Sequence, residues 1–158
     1  VVRSPEKIYG FEASADVQPA SRWNVGGTAT WLEGRTDPSF SGRWTSLNSF
    51  RIPPLKLTGY VDHQTTSRWH NRLQGLYSGS RKRFGNRNVF GERDVLSYVT
   101  FDWISSIRAG RGTMQLSVEN ILNRQYFVRE AQLLWSGRND SYSAARGAVL
   151  AIGYRITY

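Results

Sequence analysis

The sequence predicts an all-β chain folded as the wall of an antiparallel transmembrane β-barrel, and three observations predict it. Large apolar and polar side chains alternate with a period of two along most of the 158 residues. That period marks strands whose two faces meet different surroundings. Aromatic residues recur near the ends of the alternating runs, at Tyr9, Trp23, Trp31, Trp69, Tyr77, Trp103, Tyr126 and Tyr158. Amphipathic rings favour water–lipid interfaces and gather there as girdles. Finally, the connections alternate in length. Pro19–Arg22, Thr65–Arg68 and Arg108–Gly112 are short, whereas Glu33–Ile52, Gly79–Asp94 and Ala131–Arg146 are long. Short turns on one side and long loops on the other are the habit of membrane barrels. A soluble sandwich also alternates, but it has no reason to keep that order.

Taken along the chain, seven strands are expected. In Tyr9–Val17, Tyr9, Phe11, Ala13, Ala15 and Val17 oppose Glu12, Ser14 and Asp16. In Trp23–Trp31, Trp23, Val25, Ala29 and Trp31 oppose Asn24, Thr28 and Thr30. Leu55, Leu57 and Val61 oppose Lys56, Thr58 and Asp62 in the third, which follows Pro53-Pro54; proline is tolerated at a strand start. Leu73 and Tyr77 oppose His70, Arg72 and Gln74 in Trp69–Tyr77. Val99, Phe101 and Trp103 then oppose Thr100 and Asp102. Met114, Leu116 and Val118 oppose Thr113, Gln115, Ser117 and Glu119. The last run puts Ala148, Leu150, Ile152, Tyr154, Ile156 and Tyr158 on one face and Gly147, Val149, Ala151, Gly153, Arg155 and Thr157 on the other. Seven antiparallel strands in series leave two open edges, which lipid does not tolerate. Further strands are therefore expected before Val1, with residues 1–158 forming part of one larger barrel domain.

Composition narrows the chemistry. There is no Cys, so disulfides, thiolate metal sites and a Cys nucleophile are excluded. No apolar run approaches the length of a transmembrane helix. No signal peptide and no initiator Met are present, so the chain is expected to be processed or a fragment. Walker loops, nucleotide-binding glycine fingerprints and nucleophile elbows are absent, and nothing groups Ser, His and an acid. No enzymatic activity, cofactor or resident metal is expected.

Three motifs carry a family resemblance. The chain closes on Gly153-Tyr154-Arg155-Ile156-Thr157-Tyr158. This resembles the terminal signal that outer-membrane barrels present to the barrel assembly machinery, with Gly153, Tyr154, Ile156 and Tyr158 as its elements. Val118-Glu119-Asn120-Ile121-Leu122-Asn123-Arg124-Gln125-Tyr126 resembles the penultimate-strand segment of TonB-dependent receptors, matching at Asn120, Leu122, Asn123 and Tyr126. Asn tolerates left-handed backbone, so this pair is expected to make a turn or bulge. Arg146-Gly147 and Arg51-Ile52-Pro53-Pro54 are similar to strand openings of the same family.

The resemblance implies the C-terminal strands of a barrel of about 22 strands around a plug, the plug itself lying outside this chain. It implies a ferric siderophore receptor of the bacterial outer membrane, driven by the TonB complex through the plug, and bordered by outer-membrane lipid and lipopolysaccharide. The long loops would then face outward and the short turns would face the periplasm.

Ligand contacts are sought in those loops. Arg81, Lys82, Arg83, Arg87 and Arg93, interleaved with Phe84 and Phe90, make a basic stretch suited to an anionic iron chelate. The alternative is a solvated loop, or one meeting lipopolysaccharide phosphates. Trp135, Arg138, Asn139, Asp140 and Tyr142 offer stacking and charge-assisted hydrogen bonds to an oxygen-rich chelate. Asp62, His63 and His70 are expected to meet across a short turn, as polar lumen wall rather than as a metal site. Glu12, Asp16, Arg72, Asp102, Glu119 and Arg155 are expected to line the lumen. Two other readings compete: a self-contained small barrel with a structural or adhesive role, and a soluble basic β-domain binding nucleic acid or sugar. The girdles and loop asymmetry oppose the second, so no nucleic-acid partner is expected.

Overall fold

The computed structural model describes residues 4–83, 94–133 and 144–156. Its strands are β1 (Glu6–Ala20), β2 (Trp23–Thr36), β3 (Thr45–Ser46), β4 (Lys56–Thr66), β5 (Trp69–Ser78), β6 (Tyr98–Ala109), β7 (Gly112–Glu119) and β8 (Val149–Ile156), with a short helix α1 (Arg129–Leu133) between β7 and β8. One antiparallel sheet runs β1-β2-β4-β5-β6-β7-β8, each long strand pairing with the next in sequence. The two-residue β3 folds back on β2, pairing Arg35 with Ser46. Seven long strands thus match the seven expected from alternation.

Register carries the alternation across the whole sheet. On one face Phe11 faces Trp31, Val25 faces Val61, Leu57 faces Tyr77 and Leu73 faces Trp103. The row continues through Val118 to Leu150 and Leu116 to Ile152. These side chains are not covered: Leu73 is 47% exposed and Ile152 72%. A water-soluble sheet buries such a face, so this one is built for an apolar solvent. The opposite face is polar and cross-linked, as in a lumen.

The buried apolar side chains among the described residues lie away from the sheet faces. Leu47, Ile52, Val95, Ala131 and Leu133 sit in the long connections, with Ile52 and Val95 almost fully enclosed. The long loops therefore carry a small core of their own at one end of the sheet.

Several strand limits differ from the periodicity. β1 runs on through Pro19 to Ala20, and its register with β2 shifts between Val17 and Ala20; a bulge accommodates a residue that cannot donate to the ladder. β2 continues past Trp31 to Thr36 because β1 and β3 both pair with its outer end. β6 continues past Trp103, where the alternation inverts and Ile104 takes the polar face. Ser105 then sits on the apolar face and accepts a 2.8 Å hydrogen bond from Trp69 Nε1. The third short turn closes on Gly110, whose φ of 59° suits glycine.

Candidate functional site

The long-loop end is assembled around Glu33, near the outer end of β2 and 8% exposed. Its Oε1 accepts the Gly34 backbone N–H at 2.8 Å and an Arg83 guanidinium N–H. Arg81 approaches the same carboxylate at 3.7 Å and donates to the Leu32 carbonyl at 2.8 Å. Burial draws Arg81 below its ordinary pKa; the Glu33 charge opposes that shift, and nearby Arg83 adds to it. Arg81 also makes a two-way backbone bridge to Val95, both bonds 2.8 Å. Two members of the basic stretch are therefore placed as braces between β2 and the second long loop. Lys82, between them, is exposed and has no side-chain partner among the described residues. Arg87, Arg93, Phe84 and Phe90 lie outside the described residues, as do Trp135, Arg138, Asn139, Asp140 and Tyr142.

The three long loops are tied to one another. The buried Ser49 hydroxyl donates to the Arg83 carbonyl at 3.3 Å, and Arg129 at the start of α1 donates to the Ser49 and Phe50 carbonyls at 3.4 and 3.3 Å. Gln132 accepts the Leu96 N–H at 2.7 Å and donates to the Leu96 and Phe127 carbonyls at 3.2 and 2.8 Å. At the rim, Arg51 holds Glu6 through two bonds of 3.1 and 2.6 Å. Sequence reasoning missed Glu33, Ser49, Arg129 and Gln132. Each stands in a stretch read from the sequence as connection, with no local signal of the partners the fold brings to it.

The asparagine motif behaves as expected. Asn120 and Asn123 adopt left-handed φ of 49° and 47°. Asn120, 3% exposed, donates to the Arg124 and Arg146 carbonyls at 2.9 and 3.3 Å and accepts the Arg124 N–H at 3.2 Å. Its own N–H reaches Asp102 at 2.8 Å. Asn123 Oδ1 accepts the Ala148 N–H at 2.9 Å, and a Cβ on Gly147 would lie 2.7 Å from that oxygen. The pair thus fastens the end of β7 to the approach of β8, and glycine at 147 leaves room for the fastening. Tyr126 stacks on Tyr98 with centroids 4.7 Å apart, while Leu122 stays 52% exposed. Of the terminal signal, Gly153, Tyr154 and Ile156 lie in β8, with Tyr154 donating to the Ala109 carbonyl at 2.7 Å. Tyr158 lies outside the described residues.

The polar face carries a ladder of its own. Arg72 grips Asp62 with two bonds of 2.6 and 2.7 Å and lies 4.4 Å over the Tyr60 ring. Tyr60 donates to Asp16, which also accepts from Asn24 at 3.1 Å. Gln74 donates to Asp102 at 3.1 Å. His70 approaches Asp62 at 3.5 Å on this face. His63 does not join them: it is paired with Trp23 on the apolar face and stacks on that ring at 4.2 Å. Adjacent strand residues must point to opposite faces, so the expected Asp62–His63–His70 grouping is corrected to Asp62–His70–Arg72. No cluster of three metal-ligating side chains occurs among the described residues.

No protein-family model matches the chain. Over its full length it is 28% identical to the ferric aerobactin receptors of Escherichia coli and Klebsiella pneumoniae. The chain spans 21% of the length of those relatives. Among solved structures it is similar to the copper transporter OprC, with a TM-score of 0.73 at 16% identity, over 92% of this chain and 22% of that one. It is also similar to the closed form of the ferric-catecholate import receptor Fiu of E. coli K12, with a TM-score of 0.69 at 19% identity, over 94% of this chain and 20% of that one. The siderophore receptor PiuA of Acinetobacter baumannii gives 0.58 at 18%, over 96% and 21%. The resemblance to TonB-dependent siderophore receptors is thus borne out, as is the antiparallel barrel-wall fold. These relatives are receptors and a transporter, not enzymes.

Proposed function

We propose that this chain is the distal barrel wall of a TonB-dependent outer-membrane receptor that imports a ferric siderophore, together with its last three extracellular loops. The observation that carries this reading is the sheet itself. One face is a continuous exposed apolar surface and the other a hydrogen-bonded polar one, in a sheet whose outer strands β1 and β8 each keep a free edge. Lipid suits the apolar face, while the polar face and the free backbone edges need closure with more strands. Similarity to ferric aerobactin receptors over the whole of this chain, about a fifth of their length, supports the choice of cargo class.

In this reading the loop end faces outward and captures the chelate. Glu33 and its two arginines hold the second loop so that Lys82, left unpaired between them, presents positive charge. Arg87 and the set Trp135, Arg138, Asn139, Asp140 and Tyr142 complete the candidate contacts. Capture is electrostatic and by stacking, with no bond made or broken in the cargo. TonB acts on a plug inside the barrel, and the cargo passes through the lumen lined by Asp16, Tyr60, Asp62, Arg72 and Asp102.

The test is uptake of radioactive iron as ferric aerobactin by cells whose own siderophore receptors are deleted and which express the full-length protein. Uptake that requires both the protein and TonB is expected, with Lys82→Gln weakening binding several-fold. Chelate binding or uptake indifferent to the protein refutes the cargo. Uptake independent of TonB refutes the mechanism.

A further inference from the structure

Over much of its extent the polar face satisfies itself: Tyr60 bonds to Asp16, Arg72 to Asp62 and Gln74 to Asp102. At the short-turn end of β6, β7 and β8 it does not. Arg108, Thr113 and Arg155 are register partners in one row across these strands. Arg68 extends the row into the turn before β5, since its carbonyl accepts the Arg108 N–H at 2.8 Å, one position beyond the Trp69–Ile107 pair. The pleat puts the row on the same face as Asp102 and Ser117. Arg68 and Arg108 therefore stand opposite each other, about 5.5 Å apart at Cα, with Arg155 about 10 Å beyond Arg108. All three are exposed, and none has a carboxylate partner among the described residues. Like charges set opposite one another destabilise a sheet, a cost that an anion between them removes. The sequence nearby supplies none: no Asp or Glu occurs between Trp103 and Val118, or after Asp140. Asp62 shares its row with Ile104, four residues or about 13 Å along β6 from Arg108, and Arg72 already holds it.

Beside the arginines the face is hollowed. Ser106, Gln115 and Gly153 form the next polar row, and Ser117 with Ala151 the one after. Together with Thr113 and Arg155 they wall a hollow of about 660 Å³. Its depth comes from β8, whose polar face carries only Ala151 and Gly153 there; a Cβ at Gly153 would meet nothing within 4 Å. The Ser106, Thr113 and Ser117 hydroxyls, the Gln115 amide and the Arg155 guanidinium have no side-chain partner among the described residues. The frame around them is held, because Tyr154 on the opposite face fastens β8 to the third short turn through the Ala109 carbonyl at 2.7 Å. The hollow thus offers hydroxyl, amide and guanidinium donors in a fixed arrangement, and no acid.

We propose that this hollow is an oxyanion site at the inner mouth of the lumen, and that it takes the carboxylate groups of an anionic chelate as the cargo leaves. Arg108 and Arg155, with Arg68 beside them, supply charge-assisted hydrogen bonds, and the hydroxyls and the Gln115 amide meet the remaining oxygens. A concave surface of one sign concentrates its counter-ion, so the row draws the chelate past the aspartates in the middle of the wall. That this end is the exit rests on the receptor reading; the site itself rests only on the sheet and its register.

The experiment titrates the full-length protein, purified in detergent at low salt, with citrate and reads binding by calorimetry. Saturable binding that weakens as salt is raised is expected. Arg108→Gln with Arg155→Gln should weaken it on the order of tenfold, whereas the paired Arg→Lys variant should stay within about threefold of the native protein. In cells, the paired Gln variant should bind ferric aerobactin at the surface as the native protein does but import it several-fold more slowly. A native protein that binds no citrate, or a paired Gln variant that binds it as the native protein does, overturns the site. Import at the native rate by that variant overturns its role in release. If the native protein imports no ferric aerobactin while citrate binding still follows the arginines, the cargo reading has failed and the site stands.

Discussion

Replacing Leu73 with arginine separates a membrane wall from a soluble sheet. Leu73 is midway along β5, four residues from Trp69 and four from Tyr77, and is 47% exposed on the apolar face. Eight residues at about 3.3 Å each, tilted by about 45°, span roughly 19 Å of membrane thickness. That fits inside an apolar band about 25 Å tall and puts Leu73 near its midplane. An arginine at that depth of a lipid-facing wall costs about 2–4 kcal/mol, or roughly 30- to 1,000-fold in the folded ratio. Leu57→Arg, level with Tyr77 at the outer end of β4, should cost about 1 kcal/mol or less. Ser14→Arg, on the polar face of β1 between Glu12 and Asp16, should stay within about 0.5 kcal/mol of the native protein. The assay is urea unfolding of the full-length protein in lipid vesicles, followed by tryptophan fluorescence. If Leu73→Arg is no worse than Ser14→Arg, the apolar face does not contact lipid, and the membrane argument fails.

Two further outcomes test the loop architecture. Asn120→Gly keeps the left-handed backbone but loses the side-chain bonds to Arg124 and Arg146, a loss of about 2 kcal/mol. Asn120→Ala adds the cost of a Cβ at positive φ, about 1–2 kcal/mol more. Equal unfolding midpoints for the two variants would show that the backbone conformation at 120 carries no stability. Glu33→Gln leaves the buried Arg81 without its counter-charge, offset in part by its bond to the Leu32 carbonyl. A cost of about 2–3 kcal/mol is expected, concentrated in the loops. Hydrogen exchange of the Arg81 and Val95 amides should then accelerate by roughly 30- to 150-fold, while β4 and β5 amides are unchanged. Unaltered exchange at Arg81 and Val95 removes Glu33 as the organising residue.

The strands were legible because a period of two is a local property. Leu73 and Gln74 point to opposite faces whatever surrounds them, so faces, strand number and the asymmetry of the connections followed from residue order alone. The left-handed turn at Asn120 and Asn123 was legible for a similar reason, since few residues other than glycine take that conformation cheaply. Where composition departs from the alternation, a cross-strand partner accommodates it. Ser105 falls on the apolar face by the same pleat as Trp103, and there Trp69, 36 positions away in sequence, donates its indole N–H to it. His63 was expected with Asp62 because the two are neighbours in sequence, yet the pleat sends it to the Trp23 ring.

Residue order therefore determined the sheet, its two unlike faces and the receptor-like ending. Only the tertiary structure decided which charges are free. Arg81, Lys82 and Arg83 are one basic stretch in the sequence, but the pairing of β2 with β1 and β3 brings Glu33 to that stretch and engages two of them. Periodicity is written in spacing along the chain, whereas a charge is neutralised or left open by whatever the fold brings within a few ångströms of it, and that distance has no counterpart in sequence.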